Sequence, residues 1–180
     1  MMRGRITDGL TDEEATHLAA MSKPEPFVRR RLIEEVLERI DYKGDVVMAL
    51  DTADAEKALQ TLVAKGVESV AVCLLWSVSN DAHEKLIADV LKRKYPALFF
   101  TLSNEVAPFA GEYERTATTV FNAYIGPKIS AYLTNLGRVL KSKGLKREPL
   151  IMQAYGGVLG TGATCKNSVQ IGRASCRERV

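Results

Sequence analysis

The residues of this 180-residue chain with the most chemical potential lie between Gly111 and Gly157. The run GEYERTATTVFN puts Glu112, Glu114 and Arg115 around Tyr113, at the start of a Thr- and Ala-rich helical pattern. An arginine there offers a planar fork to a carboxylate, and Glu112 offers an acid/base or orienting group. Asn122, seven residues beyond Arg115, falls on the same helix face. Further on, the apolar run ending in IMQAYGG places Gln153 just ahead of Gly156 and Gly157. Two residues without Cβ let backbone N–H groups approach a phosphate or carboxylate closely. Plainer readings stand beside these. Acids in a first helical turn complement the macrodipole, and an exposed ion pair contributes under about 1 kcal/mol. A Gly-Gly pair is more often a simple turn.

Other reactive residue types carry weaker signals. His83 opens a helical pattern with no second histidine near it in sequence, so it reads as structural. Cys73 lies within an apolar run and reads as a core residue. Arg29, Arg30 and Arg31 form a solvated charge run. The three cysteines, Cys73, Cys165 and Cys176, match neither a zinc pattern nor a disulfide framework, so no metal site is expected. No G-x-x-x-x-G-K-[ST] phosphate loop occurs.

The elements that must position these groups follow from periodicity and punctuation. A capping box from Thr11 to Glu14 opens a short helix over residues 11–20. Pro24 and Pro26 then enforce extended backbone. A turn signal at residues 41–45, between apolar segments, favours a β-hairpin. Asp51 caps a helix over 53–65, with Ala55, Leu59, Leu62 and Val63 on one face and Gly66 as its stop. The near-continuous apolar run VESVAVCLLW, residues 67–76, reads as a strand covered on both faces. Asn80 caps a helix over 81–94, ended before Pro96, and a strand over 98–102 follows. This alternation predicts an α/β fold, a parallel or mixed sheet with flanking helices. Residues 112–125 and 127–143 read as two helices broken at Gly126-Pro127, with Gly144 ending the second. A strand over 150–154 leads to Gly156-Gly157, and VLGTGAT beyond it is turn-prone.

Composition is that of an ordinary soluble chain, 46% hydrophobic and 26% charged. No apolar run reaches the roughly 18 residues that cross a bilayer, and the start shows no secretory signal, so cytoplasm and no membrane role are expected. The last ten residues, IGRASCRERV, resemble codon for codon the frame translation of an adapter used in short-read DNA sequencing. They are set aside from fold reasoning, with the natural chain expected to have been cut at Gln170. Without Arg173, Arg177, Arg179 and Glu178 the formal charge falls from +3 to +1. A nucleic-acid partner, which only the basic balance suggested, is then not expected.

Taken together, KPEPFVRRRL (23–32), GVESVAVCLLWS (66–77), AHE (82–84), GEYERTATTVFNAYIGP (111–127) and IMQAYGG (151–157) resemble the hydantoinase A/5-oxoprolinase family, which includes acetone and acetophenone carboxylase subunits. The resemblance covers residues 6–170. It implies an actin-like, sugar-kinase-like ATPase fold, with residues 1–110 from the family's N-terminal region and 111–170 opening its hydantoinase A domain. It implies ATP with Mg2+ as cofactor, a cyclic amide or ketone activated by phosphorylation, and a hydantoinase B-type partner subunit or fused domain. Glu112, Arg115, Asn122 and Gln153 are then candidates to face the cleft, and Gly156 and Gly157 to contact the cofactor. Arg29 and Asp81 stand where the family pattern leads one to expect prolines. The family's D-x-G-G-T-x-T-D loop and S-G-P-A-G-G segment are expected outside this chain, so the polypeptide alone is expected to be inactive. The alternative is a non-catalytic assembly module of the same fold.

Overall fold

The computed structural model describes residues 26–171. These fall into two units, one reaching Ile33 and one starting at Glu34. In the first, a 3-10 turn at Arg30–Leu32 is closed by Leu32 N–H donating to the Arg29 carbonyl at 2.8 Å. The helix expected over residues 11–20 lies outside the described residues. Everything below concerns the second unit.

A short antiparallel hairpin opens it, β1 (Arg39–Ile40) with β2 (Val46–Met48). Asp41 makes its turn: one carboxylate oxygen accepts the N–H groups of Lys43 and Asp45, both at 2.9 Å. Gly44 takes a φ of +92° there, which only glycine adopts without strain. The expected hairpin is present, though its ladder covers only two to three residues.

The helix α1 (Thr52–Ala64) starts where the Asp51 side chain accepts from the N–H groups of Ala53 and Asp54. Its end is a Schellman motif, with Gly66 N–H on the Val63 carbonyl and Val67 N–H on that of Leu62. Strand β3 follows at Ser69–Val72, then helix α2 (Ala82–Lys94) and strand β4 (Phe99–Leu102). β3 and β4 pair in parallel, Ser69 opposite Phe99 through Val72 opposite Leu102, the arrangement expected of a βαβ unit. Val70, Val72 and Leu102 pack against Ala55 and Leu59 of α1 and Ile87, Ala88, Val90 and Leu91 of α2. The other face of the pair is covered by a long helix, which explains the continuous apolar run.

Two expectations need correction here. The strand read over 67–76 stops at Val72, and residues 75–79 are a turn. Beyond the strand, the backbone of Leu74 is bonded by side chains from two helices rather than by a neighbouring strand. Nor is there one larger sheet: among the described residues the strands form three separate two-stranded sheets.

The short helix α3 (Ser103–Val106) follows β4 directly, and α4 then runs unbroken from Glu112 to Ser142. Gly126-Pro127 was expected to split it and does not. Arg115, Thr119, Asn122, Ala123, Gly126 and Leu133 recur along one buried face, so packing holds the helix through the one donor that Pro127 lacks. Gly126 is required at the contact, since a Cβ there would lie 2.2 Å from the Phe99 ring of β4. Gly144, at φ +94°, ends α4 in a second Schellman motif, as expected.

The last part is an antiparallel hairpin, β5 (Leu150–Met152) with β6 (Val158–Gly160), then helix α5 (Thr161–Lys166) and a 3-10 turn at Ser168–Gln170. The segment read as turn-prone is therefore strand and helix. Glu148 makes this possible: its carboxylate accepts from the Thr161 hydroxyl and the Gly162 N–H, capping a helix whose own first residues carry no side-chain cap. Among the described residues, no helix is long and apolar enough to cross a membrane.

Candidate functional site

Where the chain leaves β3 it meets the start of α4, and a hollow of about 230 Å³ opens between them. Leu75, Trp76, Ala110, Glu112 and Arg115 line it. Carboxyl ends of parallel strands are where open α/β folds take up ligands. Of the six residues singled out from the sequence, Glu112 and Arg115 line this hollow and the other four do not.

Arg115 is only 2% exposed. Its Nη1 donates to the Phe109 carbonyl at 3.2 Å and its Nη2 to the Leu74 carbonyl at 3.0 Å. Nε has no partner among the described residues. The guanidinium is thus no open fork for a carboxylate, because two of its three nitrogens are spent on the backbone. A buried N–H left without an acceptor costs about 1–3 kcal/mol. Glu112, one turn earlier on the same helix, is exposed.

The Leu74 peptide is gripped from both sides. While its carbonyl accepts from Arg115 of α4, its N–H donates to Glu84 of α2 at 3.0 Å. Glu84 is completely buried and also accepts from the Ser103 hydroxyl at 2.6 Å and the Asn104 N–H at 3.1 Å. A buried carboxylate persists only when its oxygens are so satisfied, and its place in the first turn of α2 adds the helix dipole. Cys73, expected in the core, is half-buried beside this clamp, and desolvation and the Glu84 charge push its thiol up to about 11, so little thiolate forms at neutral pH.

Trp76 adopts φ +58°, the one non-glycine residue at positive φ among the described residues. For so bulky a side chain this conformation is rare and costs on the order of 1–3 kcal/mol. Its carbonyl accepts from the N–H groups of Ser79 and Asn80. Tyr42, from the β1–β2 turn, meets the Trp76 ring edge-on with centroids 6.4 Å apart. Asn80 Nδ2 ties the same turn down through the Gly44 carbonyl at 2.8 Å.

Asn122 is fully buried and fully engaged. Its Nδ2 donates to Thr101 Oγ1 at 3.0 Å and to the Lys166 carbonyl at 2.8 Å, and its Oδ1 accepts from Val169 N–H at 2.9 Å. It clamps α4 to β4 and to the segment after β6, rather than facing an open cleft. Gln153 is buried at the end of β5, with Nε2 on the Ile151 carbonyl and Oε1 unpartnered among the described residues. Gly156 and Gly157 lie in the turn of the β5–β6 hairpin, not beyond a parallel strand. Gly156 N–H donates to the Gln153 carbonyl, Gln153 N–H to that of Gly157, and Gly156 sits at φ +91°. Its plainer reading, a turn, describes the geometry.

Sequence reasoning missed Glu84, Glu38 and Trp76. Glu38 is buried against His83, with Nδ1 and Oε2 2.7 Å apart, so His83 has a carboxylate partner 45 residues away. The AHE motif was quoted for its family resemblance and held the one signal for Glu84: an acid in the first turn of a helix that follows a buried strand. Trp76 had none, since φ is not written in residue type.

Residues 4–95 match the hydantoinase/oxoprolinase N-terminal region. An uncharacterized protein of Methanocaldococcus jannaschii is 38% identical over 136 residues, 76% of this chain and 20% of that protein. The acetophenone carboxylase gamma subunit of Aromatoleum aromaticum is 35% identical over 156 residues, 84% of this chain and 21% of that subunit. The crystal structure of the ATP-dependent caprolactamase from Pseudomonas jessenii superposes with a TM-score of 0.74 at 27% identity, over 84% of this chain and 23% of that one. The chain thus spans about a fifth of the length of the curated relatives it matches.

Proposed function

The chain belongs to the hydantoinase/oxoprolinase family, and from that premise we propose that its parent polypeptide is a subunit of an ATP-dependent enzyme. That enzyme activates the carbonyl of a cyclic amide or a ketone by phosphorylation, for ring hydrolysis or carboxylation. One observation carries this reading. A relative named as a carboxylase subunit and a structure named as an ATP-dependent caprolactamase both align over 84% of the chain. An actin-like ATPase fold, a boundary near residues 110/111, a hydantoinase B-type partner and a cytoplasmic location belong to the same proposal.

Within it, Glu112 holds or orients a proton at the hollow and Arg115 fixes the Phe109 and Leu74 carbonyls beside it. Asn122 ties α4 to β4 behind them, and Gln153 stays within the β5–β6 hairpin. The Gly156-Gly157 pair does not fit a nucleotide phosphate. At Gly157 the Tyr155 ring occupies the space a Cβ would need, 2.5 Å away, and the Gly156 N–H is already bonded within its turn. The nucleotide is therefore assigned to other segments of the parent, and no step is derived through it.

The test is the parent enzyme, purified with its partner subunit and assayed with ATP against hydantoin, N-methylhydantoin, 5-oxoproline, acetone and acetophenone. ATP-dependent consumption of one of these, lowered at least tenfold by Glu112→Gln, is the expected result. Absence of ATP-dependent turnover on the whole panel overturns the reading.

A further inference from the structure

We infer that Trp76 is a specificity-determining residue: its indole is the ligand-facing wall of the hollow and packs against a flat, uncharged part of the substrate away from the reacting group. The inference rests on the proposed function for the reaction served, and it goes beyond that reading by assigning the residue that meets the unreactive part of the substrate.

Turn geometry does not account for a tryptophan at this position. Ser77 N–H donates to the Leu74 carbonyl at 3.4 Å, and the Trp76 carbonyl accepts from the N–H groups of Ser79 and Asn80 at 2.9 and 3.2 Å. These bonds use backbone alone, so any residue that reaches φ +58° closes the same turn. Where the third position of a turn needs positive φ, glycine or asparagine is the ordinary choice, because both reach it with little strain. A bulky ring is an outlier there. Core packing does not account for it either. Trp76 is half-buried and stands outside the cluster that α1, the β3–β4 pair and α2 form. Its ring partner among the described residues is Tyr42, itself 65% exposed.

What the indole has is a place. It stands just past the carboxyl end of β3, in the loop that leads to α2, where open α/β folds take up ligands. There it lines the hollow of about 230 Å³ together with Leu75 and Ala110. The loop is held from outside the hollow. Asn80 Nδ2 donates to the Gly44 carbonyl at 2.8 Å and Ser79 Oγ to the Tyr42 carbonyl at 3.3 Å, so the β1–β2 turn fixes the residues on which the Trp76 carbonyl rests. Backbone strain that surrounding contacts maintain beside an open hollow points to a use for the side chain that bears it. An indole offers a broad apolar face, and it meets a planar ring by offset or edge-on stacking more fully than a puckered ring of the same size.

Trp76 is the chain's only tryptophan, so its fluorescence reports on this hollow directly. The 180-residue chain is titrated with benzamide and with cyclohexanecarboxamide, which pairs the same amide with a puckered ring. A saturable change with benzamide is expected, with binding about tenfold weaker or more for the saturated compound. Equal affinity for the two, or saturation by neither, overturns the inference. Stability gives a second measurement on the same chain. Because asparagine tolerates positive φ, the thermal midpoint of Trp76→Asn is expected at or above that of the unchanged chain. A fall of more than about 4 °C makes Trp76 a packing residue and overturns the inference. In the parent with its partner subunit, Trp76→Asn is expected to raise KM about tenfold or more while kcat stays within about threefold, and Trp76→Phe to restore KM. An unchanged KM, or a loss confined to kcat, overturns the role. A parent that turns over nothing counts against the proposed function, and the benzamide comparison then decides this inference by itself.

Discussion

At the scale of single residues, the most informative side chains are polar ones that folding has buried. Asn122 had been a candidate to face a cleft, yet it makes three hydrogen bonds that join α4, β4 and the segment after β6. Asn122→Ala leaves the Val169 N–H and the Lys166 carbonyl without their partner. At about 1 kcal/mol or more for each unpaired group, the expected loss is about 2–4 kcal/mol in urea denaturation. Retention of full stability would contradict the clamp. Arg115 was legible as important and illegible in role. Its type and helix position suggested a ligand fork, whereas both of its Nη nitrogens donate to backbone carbonyls. The buried pair of Glu38 and His83 could not be read at all, because the partners lie in different elements.

At the scale of elements, local rules held at most helix ends, though Asn80, expected to cap α2, sits one residue before the cap position Asp81 and accepts only the Ala82 N–H. Asp51, Gly66 and Gly144 cap as their residue types require. They failed at Gly126-Pro127, where contacts along the buried face of α4 outweigh one missing N–H. Two glycines of this helix give a paired test. Gly126→Ala puts a methyl into the Phe99 ring and should destabilise by about 1–3 kcal/mol despite alanine's better propensity. Gly137→Ala meets nothing within 4 Å and should stabilise by up to about 1 kcal/mol. Thermal midpoints that move in the same direction would refute this account. Between α1 and α2, Glu56 bridges Arg93 at 3.0 Å and Lys94 at 2.7 Å. The hydrogen bond from Lys94, helped by the charges of Lys94 and Arg93, holds its carboxyl below the ordinary 4.5. A lowered carboxyl contributes stability above its unfolded value and loses it as pH falls through the lower folded one. The difference in urea midpoint between the parent sequence and Glu56→Gln should therefore be small at pH 7, shrink below pH 4.5, and weaken with salt. A gap that widens on acidification would reverse the sign.

At the scale of the whole molecule, the chain carries the β3–β4 pair, the helices on both its faces and a hollow at the strand ends, and it spans about a fifth of the relatives' length. Purified alone, it is expected neither to hydrolyse ATP nor to open a hydantoin ring. Phosphate release or ring opening above a heat-denatured control would contradict the assignment of nucleotide binding to other segments. The opposite faces of a continuous apolar strand, the helix caps and the family were all determined by the sequence, since each depends on residues adjacent in the chain or on the order of motifs along it. Tertiary structure alone decided that α4 is unbroken, that the Gly156-Gly157 pair is a hairpin turn, and that Asn122 is spent on packing. It alone decided that Glu84 and Arg115 grip one peptide from opposite helices. These outcomes turn on pairings across tens of residues, where burial removes water as the alternative partner and makes every polar atom find, or lack, a specific neighbour.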